Sequence, residues 1–180
     1  MEIELKSLSK FLSYVLRHHP DSIGVDIDKN GWVAISELIQ KAENEGRIFG
    51  KEQLYQVLEY GEKQRFILSN DGKYIRAGYG HSIEVELQLH PQQPPRLLYH
   101  GTAQKNLDSI YDEGLHSGSR NFVHLSANES DAKEVGARHG TPVILEILSQ
   151  IMAEEGINFY QSESEPDIWL TKKVEPKFFN

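Results

Sequence analysis

Leu97-Leu98-Tyr99-His100-Gly101-Thr102 is an apolar run that ends in a histidine, a glycine and a hydroxyl. Coming after Pro94-Pro95, it reads as the start of a buried strand, with His100, Gly101 and Thr102 at the strand end, where side chains and bared backbone face a cleft. A ligand can be held there. Histidine offers one donor and one acceptor to a ribose diol, Gly101 lets a flat group approach the backbone, and Thr102 adds a hydroxyl.

C-terminal to that stretch, the pattern predicts a helix with Leu107, Ile110 and Tyr111, stopped by Gly114. Asn121-Phe122-Val123-His124-Leu125-Ser126 reads as a second buried strand with a central histidine, then a short helix capped by Asn128, then a polar loop over Gly136-Ala137-Arg138-His139-Gly140. Pro142 to Leu148 is a third strand, residues 149 to 156 are helical, and Phe159-Tyr160 and Ile168-Trp169-Leu170 are the last strands. This half is mixed α+β, with strands outnumbering helices.

N-terminal to it, Leu89-His90-Pro91-Gln92-Gln93-Pro94-Pro95 has linker composition stiffened by its prolines. Residues 1–90 therefore form one lobe, 91–95 a linker and 96–180 a second lobe. Ser7 caps a first helix whose apolar stripe is Leu8, Phe11, Leu12, Val15 and Leu16. At about 100° per residue Arg17 falls opposite that stripe and His18 at its edge, so both are available. Val25 and Ile27 form a short hairpin with Trp32-Val33 across Asp28-Lys29-Asn30-Gly31, and Ser36 caps a second helix that stops near Gly46. A third helix covers Lys51 to Tyr60. Arg65 to Leu68 and Lys73 to Arg76 form the strongest hairpin, turning at Asp71-Gly72 and pairing Leu68 with Ile75 and Ile67 with Arg76. Three helices followed by a two-stranded wing suggest a winged-helix lobe. Gly78-Tyr79-Gly80-His81-Ser82 leaves the wing as a loop open to a ligand.

The formal charge of −8 divides fairly evenly, with 11 Lys+Arg against 14 Asp+Glu in residues 1–90 and 8 against 13 in the rest. Neither half has the composition of a broad basic surface, so any nucleic acid must be gripped by a few arginines on a small footprint. With no cysteine, disulfides and thiolate metal sites are excluded, and no histidine pair has metal-ligand spacing with a third ligand nearby, so no metal is expected. No leader and no run of roughly 20 apolar residues is evident, which reads as a cytoplasmic protein with no membrane association and no obligate protein partner. Walker and dinucleotide glycine loops and a Gly-x-Ser-x-Gly elbow are also missing. What remains is cationic groups at element ends, namely Arg17, His18, Arg65, Arg76, His81, Arg120 and Arg138, which suit a forked clamp on phosphate.

Leu8-Ser9-Lys10, Leu16-Arg17-His18, Lys63-Gln64-Arg65-Phe66, Ile75-Arg76-Ala77, Gly80-His81-Ser82, His100-Gly101-Thr102, Val123-His124-Leu125-Ser126 and Gly136-Ala137-Arg138-His139-Gly140 together resemble the NAD-dependent RNA 2'-phosphotransferase family, in the right order over essentially the whole chain. One departure is Tyr79, where relatives often carry glutamine. The resemblance implies an N-terminal winged-helix lobe for RNA and a C-terminal lobe of the ADP-ribosyltransferase fold for NAD. It implies that Arg17, His18, Arg65 and Arg120 are catalytic, and that His100 and His124, with Gly101, Thr102, Leu125, Ser126 and Arg138, hold NAD. It further implies that His19, Arg76, Gly80 and His81 meet an RNA bearing a 2'-phosphate. Ile168 matches the position of a glutamate in many protein ADP-ribosyltransferases.

The implied reaction has two steps. The RNA 2'-phosphate attacks the anomeric carbon of the nicotinamide ribose and releases nicotinamide; the ribose 2''-hydroxyl then attacks phosphorus, giving 2'-hydroxyl RNA and ADP-ribose 1'',2''-cyclic phosphate. The guanidinium groups of the two lobes are expected to converge on the phosphate and take the role metal ions play elsewhere. Two other readings stay open: an ADP-ribosyltransferase that leaves its adduct on a protein or a terminal nucleic-acid phosphate, and a non-enzymatic winged-helix module that senses NAD.

Overall fold

Helices and antiparallel strands alternate along the chain in a computed structural model that describes residues 2–180. The fold is mixed α+β and divides into two units. One comprises the residues up to Gln88 together with Glu163–Glu165, the other Leu89–Ser162 with Pro166–Asn180.

The first unit contains α1 (Glu2–Arg17), β1 (Val33–Ala34), α2 (Ile35–Asn44), α3 (Lys51–Tyr60), β2 (Phe66–Leu68) and β3 (Tyr74–Ala77). Its core is the predicted stripe of α1 packed on the inner faces of the other helices: Leu12, Leu16, Leu38, Leu54 and Ile75 are fully buried. Each such aliphatic side chain contributes about 1.5–3 kcal/mol of burial, which is what holds three short helices on a small sheet.

Several local expectations are corrected. The first helix starts at Glu2, so Ser7 lies inside it and is no cap; its carbonyl and hydroxyl instead accept hydrogen bonds from Arg47. Ala34, not Ser36, precedes the first turn of α2. Val25 and Ile27 form no strand. The turn at Asp28 is present, with Gly31 N–H bonded to the Asp28 carbonyl, but Val33–Ala34 pairs with β3 and so makes a three-stranded sheet of order β1-β3-β2. The wing register is as expected, Leu68 opposite Ile75 and Ile67 opposite Arg76. Its turn sits one residue earlier, closed by Gly72 N–H to Ser69 O, because the Asp71 carboxylate takes up the Ser69 hydroxyl and the Lys73 N–H.

The second unit contains β4 (Leu98–Ala103), α4 (Leu107–Glu113), β5 (Leu115–His116), β6 (Val123–Ser126), α5 (Glu129–Ala137), β7 (Pro142–Ile147), α6 (Ser149–Glu154), β8 (Tyr160–Gln161), β9 (Ile168–Thr171) and β10 (Lys173–Val174). Five of these strands form an antiparallel sheet in the order β7-β4-β6-β9-β8, and β10 pairs with β5 separately. Leu98, Leu125, Leu145, Ile147 and Trp169 supply the core beneath the sheet. His100 to Thr102 lie within β4 rather than at its end, since β7 pairs with all six residues of that strand, through Ala103. Gly136 and Ala137 belong to α5, not to a loop. Among the described residues no helix is long and apolar enough to cross a membrane.

Candidate active site

In the first unit the C-terminus of α1 is covered by the segment that leaves the wing. The N–H groups of Ser82 and Ile83 both donate to the carbonyl of Arg17, at 2.9 and 3.3 Å, satisfying a helix-end acceptor that would otherwise need water. His18 Nδ1 lies 2.9 Å from the Ser82 hydroxyl, so the same residue fixes both backbone and imidazole. Arg17 is buried, 8% exposed, which corrects the expectation that it stands free opposite the apolar stripe. Its guanidinium carbon lies 4.6 Å from the centroid of the Tyr79 ring. On another side is Gly80, at φ 87°, where an added Cβ would come within 3.4 Å of Cδ, Nε and Cζ of Arg17. Gly80 is therefore approached by Arg17 itself. That side chain occupies the close space the glycine provides.

His81 is 3% exposed, and neither ring nitrogen has a hydrogen-bond partner. Burial first, then the charges of Arg17, His18 and Arg76, pushes its pKa from 6.5 to about 4, so it is neutral at physiological pH. Arg76 is buried as well. It stands over the Trp32 ring at 4.6 Å, donates to the Asn30 carbonyl at 3.2 Å, and pairs with Glu163. Arg65 is half-buried just before β2, its carbonyl accepting the Gly78 N–H, while its neighbour Gln64 donates from its backbone to Glu165. His19 is exposed and stacks on Tyr14 instead of joining this group.

The expected residues of the second unit fall into two sets. His100, Gly101, Thr102, His124, Leu125 and Ser126 lie on the adjacent strands β4 and β6, which share the paired position Tyr99↔Ser126. His100 Nδ1 donates to the carbonyl of His124 at 3.1 Å, and His124 Nδ1 donates to that of Phe122 at 3.1 Å. Burial, partly opposed by that hydrogen bond, holds the His100 pKa below the usual value. A neutral His100 with Nδ1 protonated leaves Nε2 as an acceptor, suited to a hydroxyl donor. Thr102 and Ser126 are buried, and their hydroxyls accept from Asn106 Nδ2 and Asn128 N–H, each keeping its own proton to donate.

Gly101 has a reason of its own. A Cβ there would overlap the carbonyl of Ala132, and one at Gly136 would come within 2.6 Å of the Thr102 carbonyl, so the glycine pair lets α5 lie directly on β4. Helix packing by itself requires glycine at that side of the strand. Arg120 and Arg138 form the second set, both exposed: Arg120 closes the turn from Ser117 and Arg138 ends α5. Ile168 is half-buried on β9, opposite Ser126.

Sequence reasoning did not identify Tyr79 as the cover of Arg17, nor Asn30 and Glu163 as partners of Arg76. Ser82 was visible within Gly80-His81-Ser82, but nothing in the chain order tied it to Arg17-His18. Among the described residues no group of three His, Asp or Glu side chains could hold a metal ion.

Comparison with known proteins shows the family of the chain. The family described as RNA 2'-phosphotransferase, Tpt1 / KptA family matches residues 4–173. A protein of Acaryochloris marina named "Probable RNA 2'-phosphotransferase" is 48% identical over 179 residues, covering 99% of this chain and 98% of its own. Proteins of the same name from Escherichia coli O9:H4 and Shigella boydii serotype 18 are 47% and 46% identical over 178 residues, covering 98% of this chain and 96% of theirs. A match over this length, with identity near one half, places the chain in the RNA 2'-phosphotransferase, Tpt1 / KptA family.

Proposed function

We propose that the protein removes an internal 2'-phosphate from RNA by transferring it to NAD, its second substrate. The products are 2'-hydroxyl RNA, ADP-ribose 1'',2''-cyclic phosphate and nicotinamide. The observation that carries this reading is the buried Arg17, held between Tyr79 and Gly80 beside a Ser82-anchored His18, in a chain whose family match spans residues 4–173. On this reading the first unit is a winged-helix lobe that takes RNA, and the second is an ADP-ribosyltransferase-like lobe that takes NAD.

Each residue then has a chemical task. Arg17, Arg65 and Arg120 offer forked donors to the phosphate, whose negative charge concentrates as phosphorus becomes five-coordinate. His18 gives a proton to the RNA 2'-oxygen as that oxygen leaves. The nucleophile of the first step is already an anion, so no carboxylate base is required, and the apolar Ile168 opposite Ser126 agrees with this. His100 fits a ribose hydroxyl, because its Nδ1 is committed to the His124 carbonyl and its Nε2 is left to accept. His124, Ser126, Thr102 and Arg138 complete the NAD side, and Arg76 and His81 support the RNA side from within.

Incubation of purified protein with NAD and a defined oligoribonucleotide carrying one internal 2'-phosphate, with separation of RNA and nucleotide products, tests the proposal. Release of cyclic phosphate and of 2'-hydroxyl RNA supports it. A stable ADP-ribosyl adduct would instead support an ADP-ribosyltransferase, and no turnover at enzyme excess would overturn both.

A further inference from the structure

One face of α1 is not accounted for by the site described above. Lys10 and Tyr14 on α1, and His18 just past its end with its N–H still bonded to the Tyr14 carbonyl, recur at every fourth residue and so lie one turn above another, with about 12 Å of axis from Lys10 to His18. Lys10 is exposed, and Tyr14 is 49% exposed although it is a large aromatic. The Tyr14 ring meets that of His19 at a centroid distance of 4.6 Å and a 33° tilt, and His19 stands 6.4 Å from His18. At the far end a cleft of about 500 Å³ is lined by Ser7, Lys10, Phe11, Tyr14, Glu45 and Arg47. Arg47 is fixed there, its guanidinium 5.0 Å from the Phe11 centroid and donating to Ser7.

We propose that this face of α1 is the track for the single-stranded RNA flanking the 2'-phosphate, with a base stacked on the Tyr14–His19 pair and a backbone phosphate at Lys10 and Arg47. The inference rests on the reading of His18 as part of the phosphate site. Two cations against the single carboxylate of Glu45 make the cleft locally positive on a chain of net charge −8, and the aromatic pair leads from it directly to His18. Stacked rings beside cations are the sequence-tolerant way to hold a single strand, since every base has a π face. A protein partner would require a wider apolar centre than one tyrosine and one histidine provide.

Fluorescence anisotropy of a labelled, 2'-phosphorylated single-stranded hexaribonucleotide, and of the matching dinucleotide, tests this without turnover. Tyr14→Ala is expected to weaken hexanucleotide binding about 5- to 100-fold and to narrow the gap between hexanucleotide and dinucleotide, whereas Tyr14→Phe stays within about twofold of the parent protein. Lys10→Ala, or Lys10→Gln if the first folds poorly by circular dichroism, lowers the salt dependence by about one charge. Binding by Tyr14→Ala and Lys10→Ala equal to that of the parent overturns the track, as does an equal loss in Tyr55→Ala, an exposed tyrosine on α3. No RNA binding by the parent protein overturns it outright. RNA bound but never converted overturns the proposed reaction alone, because the track is read from the binding differences.

Discussion

The guanidinium of Arg17 lies over the ring of Tyr79, 4.6 Å from its centroid, at the point where α1 ends. A buried cation needs compensation for lost water, and the π face of tyrosine supplies part of it. Tyr79→Leu keeps apolar volume but removes that face, so it should cost about 0.5–2 kcal/mol in urea unfolding and lower turnover several-fold. Tyr79→Phe, which keeps the aromatic face, should lose less than Tyr79→Leu in both measurements.

Arg17→Lys keeps the charge and loses the planar fork. If Arg17 contacts the phosphate as proposed, turnover should fall by about 100-fold or more, with a far smaller change in melting temperature. Gly80→Ala should lower activity by a different route. Its Cβ would press on Cδ, Nε and Cζ of Arg17, at a φ of 87° that alanine rarely adopts. Retained activity in Gly80→Ala would show that the position of Arg17 is not set by this contact.

How far these features were legible depends on where the information lay. The apolar stripe of α1, the wing register and the strand around His124 are local patterns, and the structure keeps them. The burial of Arg17 is not legible in a helical wheel, which sees only its own helix; residues 79–83, more than sixty positions away, decide it. The strand partner of Val33 is illegible for the same reason, since it is Ile75 and not the nearby Val25. The pairing of β5 with β10 joins two-residue strands that carry no periodic signal at all. Gly101 stands out in the sequence as a place for close approach of a ligand, but the close approach of the Ala132 carbonyl on α5 is not legible there.

That packing gives a stability prediction. Gly101→Ala puts a methyl group into the backbone of α5 and cannot be relieved by a rotamer change, so α5 must move off β4. Overpacking of this kind costs about 3 kcal/mol, and at 2–4 °C per kcal/mol the melting temperature should drop by about 6–12 °C. A drop under about 2 °C by calorimetry would mean that α5 adjusts freely on the strand.

His81 makes stability depend on pH. Its native pKa of about 4 lies below the unfolded value of 6.5, so unfolded chains bind the extra proton first as pH falls. The contribution is fully present above pH 6.5 and is lost as pH drops toward 4, reaching about 3 kcal/mol. Urea melts at pH 7 and pH 4.5 should therefore differ more in the parent protein than in His81→Gln, which cannot titrate. An equal difference in both would assign the acid loss to other groups.

Gly78 and Ser164 should be coupled. A Cβ at Gly78 would overlap the Ser164 side chain, on the short segment that also carries Glu163 to Arg76 and Glu165 to the backbone of Gln64. Because Gly78 N–H also holds the Arg65 carbonyl, displacing Ser164 strains the strand end that bears Arg65. Gly78→Ala alone is expected to destabilise by about 1–3 kcal/mol, and Ser164→Gly alone by less. Combining them should recover at least 1 kcal/mol relative to the sum of the single changes, since the second substitution vacates the space the first one needs. A double-mutant cycle from urea melts measures that coupling directly. Additive losses would show that the methyl group at residue 78 finds room elsewhere and that Ser164 is not what requires glycine there.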